Sequence, residues 1–390
     1  MRGSIRLGRI AGIEIGIHYS WILIFVLVST ILALGLFPSA LRGIEQSVAW
    51  VAGVLAAILL FASVLIHEIA HSLVAQARGI PVRSITLFIL GGVSNIEEEA
   101  KKPSVEFSMA IVGPLTSLVL GFVFWVLYLA VQGAGAANPI AFPASQYRDV
   151  PAAILHYLSY VNILLAAFNI LPGFPLDGGR VLRSIVWAAT GNLVRATNIA
   201  ATIGRLFGWG LIAYGVYSIF GGNVVGGIWI GIIGWFLSNA ADTSRQEVSL
   251  REQLSGVKVR DAMVQYHETI SPRATVDELV KGILGQRFGR AVPVCDGATT
   301  VGIVTISDVK GVPQEKWPIT PVEQVMTKGP LHSVEPEDDL NQAMKLIAQH
   351  DLNQVLVMND GQCAGLLSRA EIIRYLQLTQ ELRIKDNRAR

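Results

Sequence analysis

The chain has 390 residues and a net charge of +2, and its charged residues are distributed unevenly. Only 24 of the 60 Lys, Arg, Asp and Glu residues lie in residues 1–245, which are too apolar for an ordinary soluble domain, whereas residues 246–390 have a soluble balance. The sequence has no basic stripe with interleaved aromatic residues, so it does not indicate a nucleic acid as a partner. The two cysteines, Cys295 and Cys363, predict no disulfide framework.

Charge-free stretches predict six membrane-spanning helices, because a span needs about 20 mostly apolar residues. The last stretch holds two spans, since Gly221-Gly222-Asn223 interrupts it. The stretches are Ile15–Leu41, Gln46–Ile66, Phe107–Tyr147, Val150–Leu176 and Leu206–Ala241. The first stretch exceeds the about 7–15 residues of a secretory signal core, so we expect it to be retained. Residues 1–242 are therefore predicted to form a six-span domain in the lipid bilayer.

The distribution of basic residues predicts the orientation of this domain, because cytosolic loops carry the excess of Lys and Arg. Two of the three loops on one side hold a single basic residue each, Arg42 and Arg148, and the third has no charge. The basic residues of the opposite side are Arg2, Arg6, Arg9, Arg78, Arg83, Lys101, Lys102, Arg180, Arg183, Arg195, Arg245 and Arg251. The sequence therefore predicts an integral, multi-pass membrane protein with both termini in the cytosol.

The second span carries the motif His67-Glu68-Ile69-Ala70-His71. The two histidines are four residues apart, so on a helix they project from one face and can reach one metal ion, while Glu68 can take a proton from the attacking water. Ionisable residues inside a span cost at least about 2.5 kcal/mol, so three within five positions indicate function. The alternative is a polar cluster that is satisfied between helices. A rise of about 1.5 Å per residue from Arg78 places the motif in the cytosolic half of the bilayer.

A third metal ligand is expected where the fourth span ends, because a catalytic zinc ion needs three protein ligands and one open position. The segment that runs from Asn169 to Gly179 contains Pro172, Gly173 and Pro175, which break the helix. Irregular backbone at membrane depth is tolerated only where it is buried in protein or lines a wet cavity. Asp177 lies in this segment and is the predicted third ligand of a Zn²⁺ site.

Two further segments have recognisable patterns. Val82–Ile96 alternates like a β-hairpin, with Gly91-Gly92 as its turn. After a connector over residues 243–256, residues 257–313 and 319–378 form a repeat with a period of about 63 residues, followed by a polar tail over residues 379–390. Val259–Met263 matches Val322–Met326, and Gly302–Asp308 matches Gly365–Glu371. Each copy is predicted to place a helix between short strands.

HExxH in one span with N-x-x-P-x-x-P-L-D-G-G in a later span resembles the site-2 protease family of intramembrane zinc metalloproteases, and the repeat resembles a pair of CBS domains, which one branch of that family carries. The resemblance implies a polytopic α-helical membrane protein with six transmembrane helices, a short membrane-associated β-hairpin and a C-terminal α/β CBS-pair domain. It makes His67, His71 and Asp177 the zinc ligands and Glu68 the general base.

The resemblance also suggests roles that have structural alternatives. Asn169 would be a catalytic residue that steadies the oxyanion or orients the substrate, or an amide that only ties spans together. Gly91 and Gly92 would belong to a hairpin whose free edge binds an unwound substrate by β-addition, or would be plain turn residues. For the Gly113-Pro114 pair of the third span, close helix packing is the preferred interpretation.

In CBS pairs that bind adenine nucleotides, a Thr or Ser and an Asp hold the ribose, and Thr305 and Asp308 fit that pattern. The second copy departs from it with Ser368 and Glu371, so ATP or another adenine nucleotide is expected at one site. The alternative is a dimerisation module without a ligand, which would make the protein a homodimer through its CBS domains.

The predicted function is hydrolysis of a peptide bond within or next to the transmembrane segment of a single-span membrane protein, such as a membrane-held transcription regulator, under regulation by nucleotide. Two alternatives belong to other classes of protein. One is a CBS-regulated ion transporter or channel, which would need polar residues spread through several spans. The other is a non-catalytic relative that only binds membrane partners.

Overall fold

The computed structural model describes residues 4–89, 91–96, 100–133, 147–265, 269–284, 291–297, 299–329, 331–359 and 361–388. The chain divides into two units, Met1–Val248 and Ser249–Arg390. Six helices, or runs of helices, in the described residues are long and apolar enough to cross a membrane, which confirms the predicted number of spans. The interruption predicted at Gly221-Gly222-Asn223 is also present, because one helix ends at Phe220 and the next begins at Val224.

The described residues of the apolar part of the chain form eight α-helices. They are α1 (Ser20–Ile31), α2 (Phe37–Ala40), α3 (Gln46–Ala77), α4 (Pro103–Gln132), α5 (Val150–Asn169), α6 (Asp177–Thr190), α7 (Leu193–Phe220) and α8 (Val224–Leu254). A π-helical turn, Leu32–Leu36, joins α1 to α2 so that both belong to the first span. The predicted connector over residues 243–256 is helical as far as Leu254. The short helix α6 is amphipathic and was not predicted.

A four-stranded sheet accompanies the helices. Its strands are β1 (Ser4–Ile10), β2 (Ile13–His18), β3 (Val82–Phe88) and β4 (Gly91–Ile96), in that order across the sheet. The pair β2–β3 is parallel, and the two hairpins β1–β2 and β3–β4 are antiparallel. The predicted hairpin therefore exists, but it is half of a larger sheet. The charge-free stretch that begins at Ile15 starts in β2, and its helix begins only at Ser20.

The prediction that Gly91-Gly92 forms the turn of the hairpin is wrong. Both glycines belong to β4, where Gly91 pairs with Phe88 and Gly92 pairs with Leu87. Gly91 has a φ of +130°, a backbone conformation that residues with a side chain rarely adopt. At Gly92 a Cβ atom would lie 2.4 Å from Cγ of Glu68, so the strand can approach α3 only without a side chain there.

Two of the buried clusters in this unit hold α3 in place. The larger one joins α3, α4 and α5, and α3 contributes small side chains such as Ala49, Ala52 and Ala56, which allow close helix packing in a membrane. The second cluster joins the sheet to α3 and α4 through residues that include Ile15 and Ile85. The HEIAH motif lies on α3 between these clusters, so two rigid contacts fix its helix.

The second unit contains the two copies of the repeat. Its helices are α9 (Val259–Ala262), α10 (Val276–Leu284), α11 (Ile306–Lys310), α12 (Leu340–Gln349) and α13 (Arg369–Arg388). Its strands are β5 (Val264–Gln265), β6 (Ala291–Asp296), β7 (Thr299–Thr305), β8 (Thr327–Lys328), β9 (Ser333–Val334), β10 (Gln354–Asn359) and β11 (Gln362–Ser368). The predicted alternation of helix and short strands is confirmed. Most of the predicted polar tail belongs to α13.

The two copies exchange short strands. The sheets have the orders β5-β11-β10-β9 and β6-β7-β8, so the first strand of each copy pairs with the long hairpin of the other copy. Two glycines of the repeat explain the close fit. A Cβ atom at Gly302 would lie 2.7 Å from Sδ of Met326, and one at Gly365 would lie 2.5 Å from the carbonyl oxygen of Val264. The matching segments of the repeat therefore serve the contact between its copies.

Candidate metal centre

The two histidines of the HEIAH motif lie on one face of α3. His67 and His71 are each only 5% exposed, and their ring centroids are 4.8 Å apart. The Nε2 atoms of the two rings face each other at 3.2 Å. Helical spacing of four residues produces this arrangement, as the sequence predicted.

Asp177 completes the cluster from a distant part of the chain. It is the first residue of α6, and its Oδ2 atom lies 3.2 Å from Nε2 of His67 and 3.1 Å from Nε2 of His71. The potential ligand atoms of the three residues all lie within 4.8 Å of one another, and no other such group occurs in the part of the chain that the structure describes. The structure thus brings together the three residues predicted as ligands.

The loop between α5 and α6 depends on a glycine to deliver Asp177. A Cβ atom at Gly178 would lie 2.1 Å from the carbonyl oxygen of Ile170, so only glycine allows the backbone to fold back on the end of α5. The prolines that end α5 keep this loop out of the helical conformation. The carboxylate of Asp177 is 14% exposed and is therefore largely shielded by protein.

The outer nitrogen of each imidazole is held by α4. Nδ1 of His67 lies 2.9 Å from Oγ of Ser117, and Nδ1 of His71 lies 2.6 Å from the carbonyl oxygen of Met109. The carbonyl can only accept, so Nδ1 of His71 donates and leaves Nε2 as the free ligand atom. Sequence reasoning missed both partners. Their only sequence signal is that they lie four residues on either side of Gly113.

Gly113 allows α4 to pack directly on the two rings. A Cβ atom at this position would lie 2.1 Å from Nε2 of His71 and 2.7 Å from Nε2 of His67. The preferred interpretation of this glycine, close packing, agrees with the structure, and its partners are the two imidazoles rather than an apolar helix face.

The donor set fits a zinc ion. Two imidazole nitrogens and one carboxylate oxygen are ligands that zinc accepts in tetrahedral sites, and three protein ligands leave one position open. The hydrogen bonds at Nδ1 orient the rings so that the three ligand atoms converge. The three residues therefore have the donor atoms and the convergent arrangement that a catalytic zinc site requires.

Glu68 lies beside the cluster and is held by the edge strand β4. Its Oε2 atom accepts a hydrogen bond of 2.9 Å from Oγ of Ser94, which in turn accepts one of 3.2 Å from Oγ of Ser72. The strand also contacts the carboxylate stem through Gly92. Sequence reasoning missed Ser94, although it follows Gly92 by two residues and so points to the same face of the strand.

Asn169 has a different environment. Its side-chain amide is half-buried and donates a hydrogen bond of 3.1 Å to the carbonyl oxygen of Leu165 in the same helix. This hydrogen bond lies within a single helix and does not involve the cluster. The catalytic role of Asn169 stays a prediction.

Thr305 and Asp308 form a capping box at the start of α11. Oδ2 of Asp308 accepts hydrogen bonds from the backbone nitrogen and Oγ1 of Thr305, at 2.7 and 2.8 Å. Ser368 and Glu371 make the same arrangement at the start of α13. A cavity of about 400 Å³ lies beside α11. Its lining residues are Val280, Ile283, Ile306, Val309, Lys310, Val312, Gln314 and Trp317.

Comparisons with known proteins agree with this division of the chain. The profile of Peptidase family M50 matches residues 55–211, which include all three members of the cluster, and the CBS domain profile matches residues 259–314 and 322–378. A protein from Synechocystis sp., named "Putative zinc metalloprotease sll0528", is 35% identical over 381 residues, which cover 97% of this chain and 96% of that protein. The chain belongs to peptidase family M50.

A second full-length relative has the same type of name, and one solved structure is similar to part of the chain. "Putative zinc metalloprotease Rip3" from Mycobacterium tuberculosis is 34% identical over 384 residues, which cover 97% of this chain and 94% of that protein. The solved structure of the site-2 protease from Methanocaldococcus jannaschii is 29% identical and covers 62% of this chain and 95% of that chain, with a TM-score of 0.44. The two family profiles and the two full-length relatives identify the protein as a zinc metalloprotease of family M50 with two CBS domains, and the transporter alternative is set aside.

Proposed function

We propose that the protein is an intramembrane zinc protease that hydrolyses a peptide bond within or next to the transmembrane segment of another membrane protein. The observation that carries this proposal is that Asp177 of α6 converges with His67 and His71, which lie beside Glu68 on a helix long enough to cross a membrane. A buried cluster of ionisable groups in an apolar helix bundle is costly, so a catalytic use explains its presence better than packing does.

In this proposal His67, His71 and Asp177 would hold the zinc ion. When bound, zinc supplies a Lewis acid that polarises the scissile carbonyl and lowers the pKa of water toward about 7. The protein contributes the orientation of the ligands, because Ser117 and the carbonyl oxygen of Met109 fix the two rings.

Glu68 moves the proton. Its carboxylate takes one proton from the attacking water, whose oxygen forms a bond with the carbonyl carbon of the substrate. The C–N bond then breaks, and Glu68 gives the proton to the leaving amine. Ser94 donates to one carboxylate oxygen, Oε2, and so restrains the base.

The substrate would bind along β4. A peptide bond in a membrane helix is shielded by its own hydrogen bonds, so the target segment must unwind before water can attack it, and its freed backbone groups then need partners. Among the described residues β4 is an edge strand, and an added strand would receive main-chain hydrogen bonds from it. Gly91 and Gly92 would let this added strand pass close to Glu68. Gly92 already contacts that side chain.

The proposed orientation places both termini in the cytosol and the metal in the cytosolic half of the bilayer. The basic residues that flank the spans support this orientation. A cut at this depth releases the cytosolic part of the substrate. A single-span protein that holds a transcription regulator at the membrane is a suitable substrate class.

We also propose that the CBS pair binds one adenine nucleotide at Thr305 and Asp308. The cavity beside α11 includes Lys310, whose charge suits a phosphate, and its lining contains the neighbours of Thr305 and Asp308 along the chain but neither of these two residues. Both Thr305 and Asp308 are half-buried, so they remain reachable by a ligand. A homodimer without a ligand is the competing use of the same domain.

The protease proposal is tested with purified full-length protein, zinc and a panel of single-span membrane proteins. Wild type should release fragments, and Glu68→Gln should reduce the rate by about 10²–10⁴-fold, the range that general acid–base catalysis contributes. Glu45→Gln is the matched control, since Glu45 is exposed and precedes the first residue of the same helix. Cleavage that survives Glu68→Gln would overturn the mechanism.

A further inference from the structure

One face of α4 serves the metal-site cluster along three helical turns. Met109 and Ser117 bind the outer nitrogens of the two imidazoles, and Gly113 between them packs against both rings. These residues are four apart, so they follow one another along one side of the helix. Glu106 precedes Met109 by three residues and lies on the same side. It is the one acidic residue of α4, and the proposed mechanism gives it no role.

Glu106 forms a buried ion pair with α6. The carboxylate is 1% exposed, Arg183 is 8% exposed, and Nε of the arginine donates to Oε1 of the glutamate at 2.5 Å. Nη2 of the same guanidinium contacts the same oxygen. Loss of one partner would leave an uncompensated buried charge, so the pair constrains the relative position of α4 and α6.

Arg183 is connected to Asp177 from two directions. It follows Asp177 by six residues on α6, a helix of only 14 residues. Its guanidinium carbon also lies 5.1 Å from the centre of the Phe174 ring, and Phe174 belongs to the loop that precedes Asp177. The arginine therefore belongs to the helix that Asp177 begins and contacts the loop that precedes it.

An exposed ion pair in the same unit provides a comparison for the buried pair of Glu106 and Arg183. Arg205 of α7 and Asp242 of α8 lie 3.5 Å apart with side chains that are 40% and 43% exposed. Such a pair contributes little to stability, with a median of about 0–1 kcal/mol. The Glu106–Arg183 pair differs because it is buried, makes a hydrogen bond and lies next to the cluster.

We propose that Glu106 and Arg183 are positioning residues that hold Asp177 in place opposite the two histidines. In this arrangement α4 positions all three ligands, two directly through Ser117 and Met109 and the third through the ion pair. Neither residue touches the ligand atoms themselves. The inference rests on the proposed metal site and adds a requirement to it.

The expected effect is on metal affinity. Removal of partners that orient metal ligands typically costs about 10–100-fold in affinity. Glu106→Gln keeps the shape of the side chain and removes its charge, so zinc should bind about 10–100-fold more weakly. Arg183→Lys should also weaken binding, because an ammonium group cannot reproduce the guanidinium contacts with both Glu106 and Phe174.

The experiment uses the full chain in detergent. Zinc affinity is measured by competition with a chelator, and the visible absorption of the Co²⁺-loaded protein reports the coordination geometry. The melting temperature of the metal-free protein is recorded for every variant, so that a general loss of stability is separated from a change at the site. Asp242→Asn, which removes the exposed pair, is the matched control and should leave affinity and spectrum unchanged.

Phe174→Leu keeps the buried ion pair and removes only the ring beneath Arg183, so it tests the inference if the Glu106 variant does not fold. We expect a smaller loss of zinc affinity, about 10-fold, at the lower end of the range for partners that orient ligands. Zinc affinity and cobalt spectrum identical to wild type in the folded variants, whatever their melting temperature, would overturn the inference. Failure of wild type to bind zinc, or no loss of affinity in Asp177→Asn, would instead contradict the proposed metal site.

Discussion

The motif residues of the membrane unit meet through long-range contacts, whereas those of the CBS unit contact each other locally. In the membrane unit Asp177 meets His71 across 106 residues of sequence, and the partners that hold this cluster come from α3, α4 and α6. In the CBS unit Thr305 and Asp308 are three residues apart and bond to each other. One site exists only in the folded protein, whereas the other could form in any short helix.

This difference separates structural explanations from functional ones. A capping box satisfies backbone donors at a helix start and is stabilising wherever it occurs, so it needs no ligand to explain it. A convergence of two imidazoles and a carboxylate inside an apolar bundle has no such local benefit, because buried polar groups cost free energy unless they are paired. The geometry therefore supports the metal site more strongly than the nucleotide site.

The largest effect is expected from Gly113→Ala. The new methyl group would lie 2.1 Å from Nε2 of His71, so the ring or α4 must move and the three ligand atoms cannot converge. Zinc affinity should fall at least about 100-fold, the upper range for disturbed ligand orientation, and proteolysis should stop. The zinc content of the purified protein measures this directly.

The control for this substitution is Gly210→Ala in α7. A Cβ atom there meets nothing within 4 Å, and alanine is the better helix former, so zinc content should equal that of wild type. A Gly113→Ala protein with full zinc content would show that the contact between α4 and the rings is looser than the structure indicates.

Sequence reasoning predicted the three residues of the cluster but not the groups that hold them, for a physical reason. His67, His71 and Asp177 were predictable because residue type, helical spacing and a helix break point to metal chemistry. The supports are serine hydroxyls and a backbone carbonyl, such as Ser117 and Met109, whose roles arise only from packing between helices. The spans were predictable from composition, which the bilayer dictates.

The N-terminal sheet shows a second limit of sequence reasoning. The basic residues Arg6 and Arg9 indicate a cytosolic flank, but they lie on β1, an edge strand. The alternation of Ile13 and Ile15 with polar or small residues on β2 is a strand signal that the longer apolar stretch obscured. The pairing of β2 with β3 joins segments about 70 residues apart, which no local pattern reveals.

A moderate effect is expected from Ser94→Ala. The change removes the hydrogen bond from β4 to Oε2 of Glu68, so the base is less restrained while the metal ligands stay in place. General acid–base catalysis contributes about 10²–10⁴-fold, and we expect the loss of one orienting contact to lower kcat about 10-fold with KM unchanged. Steady-state cleavage of a single-span substrate measures both constants.

Ser108→Ala is the control for the serine substitution, since in the described part of the chain that hydroxyl bonds to the carbonyl oxygen of Val105 in its own helix. Its kcat should stay at the wild-type value. If Ser94→Ala raised KM and left kcat alone, β4 would act in substrate binding rather than through Glu68.

The smallest effects are expected in the CBS unit. Two variants there test whether Asp308 only caps its helix, as Glu371 does, or also binds a nucleotide. Asp308→Ala and Glu371→Ala each remove the acceptor of a capping box, so each should lower the free energy of unfolding by about 1 kcal/mol. Denaturant unfolding, monitored by hydrogen exchange in peptides of this unit, measures that loss.

If Asp308 also holds a nucleotide, only Asp308→Ala should abolish the heat of binding when the full chain is titrated with ATP, ADP and AMP. Wild-type protein that gives no heat with any of the three would contradict the nucleotide proposal, and Asp308 would then be a helix cap like Glu371.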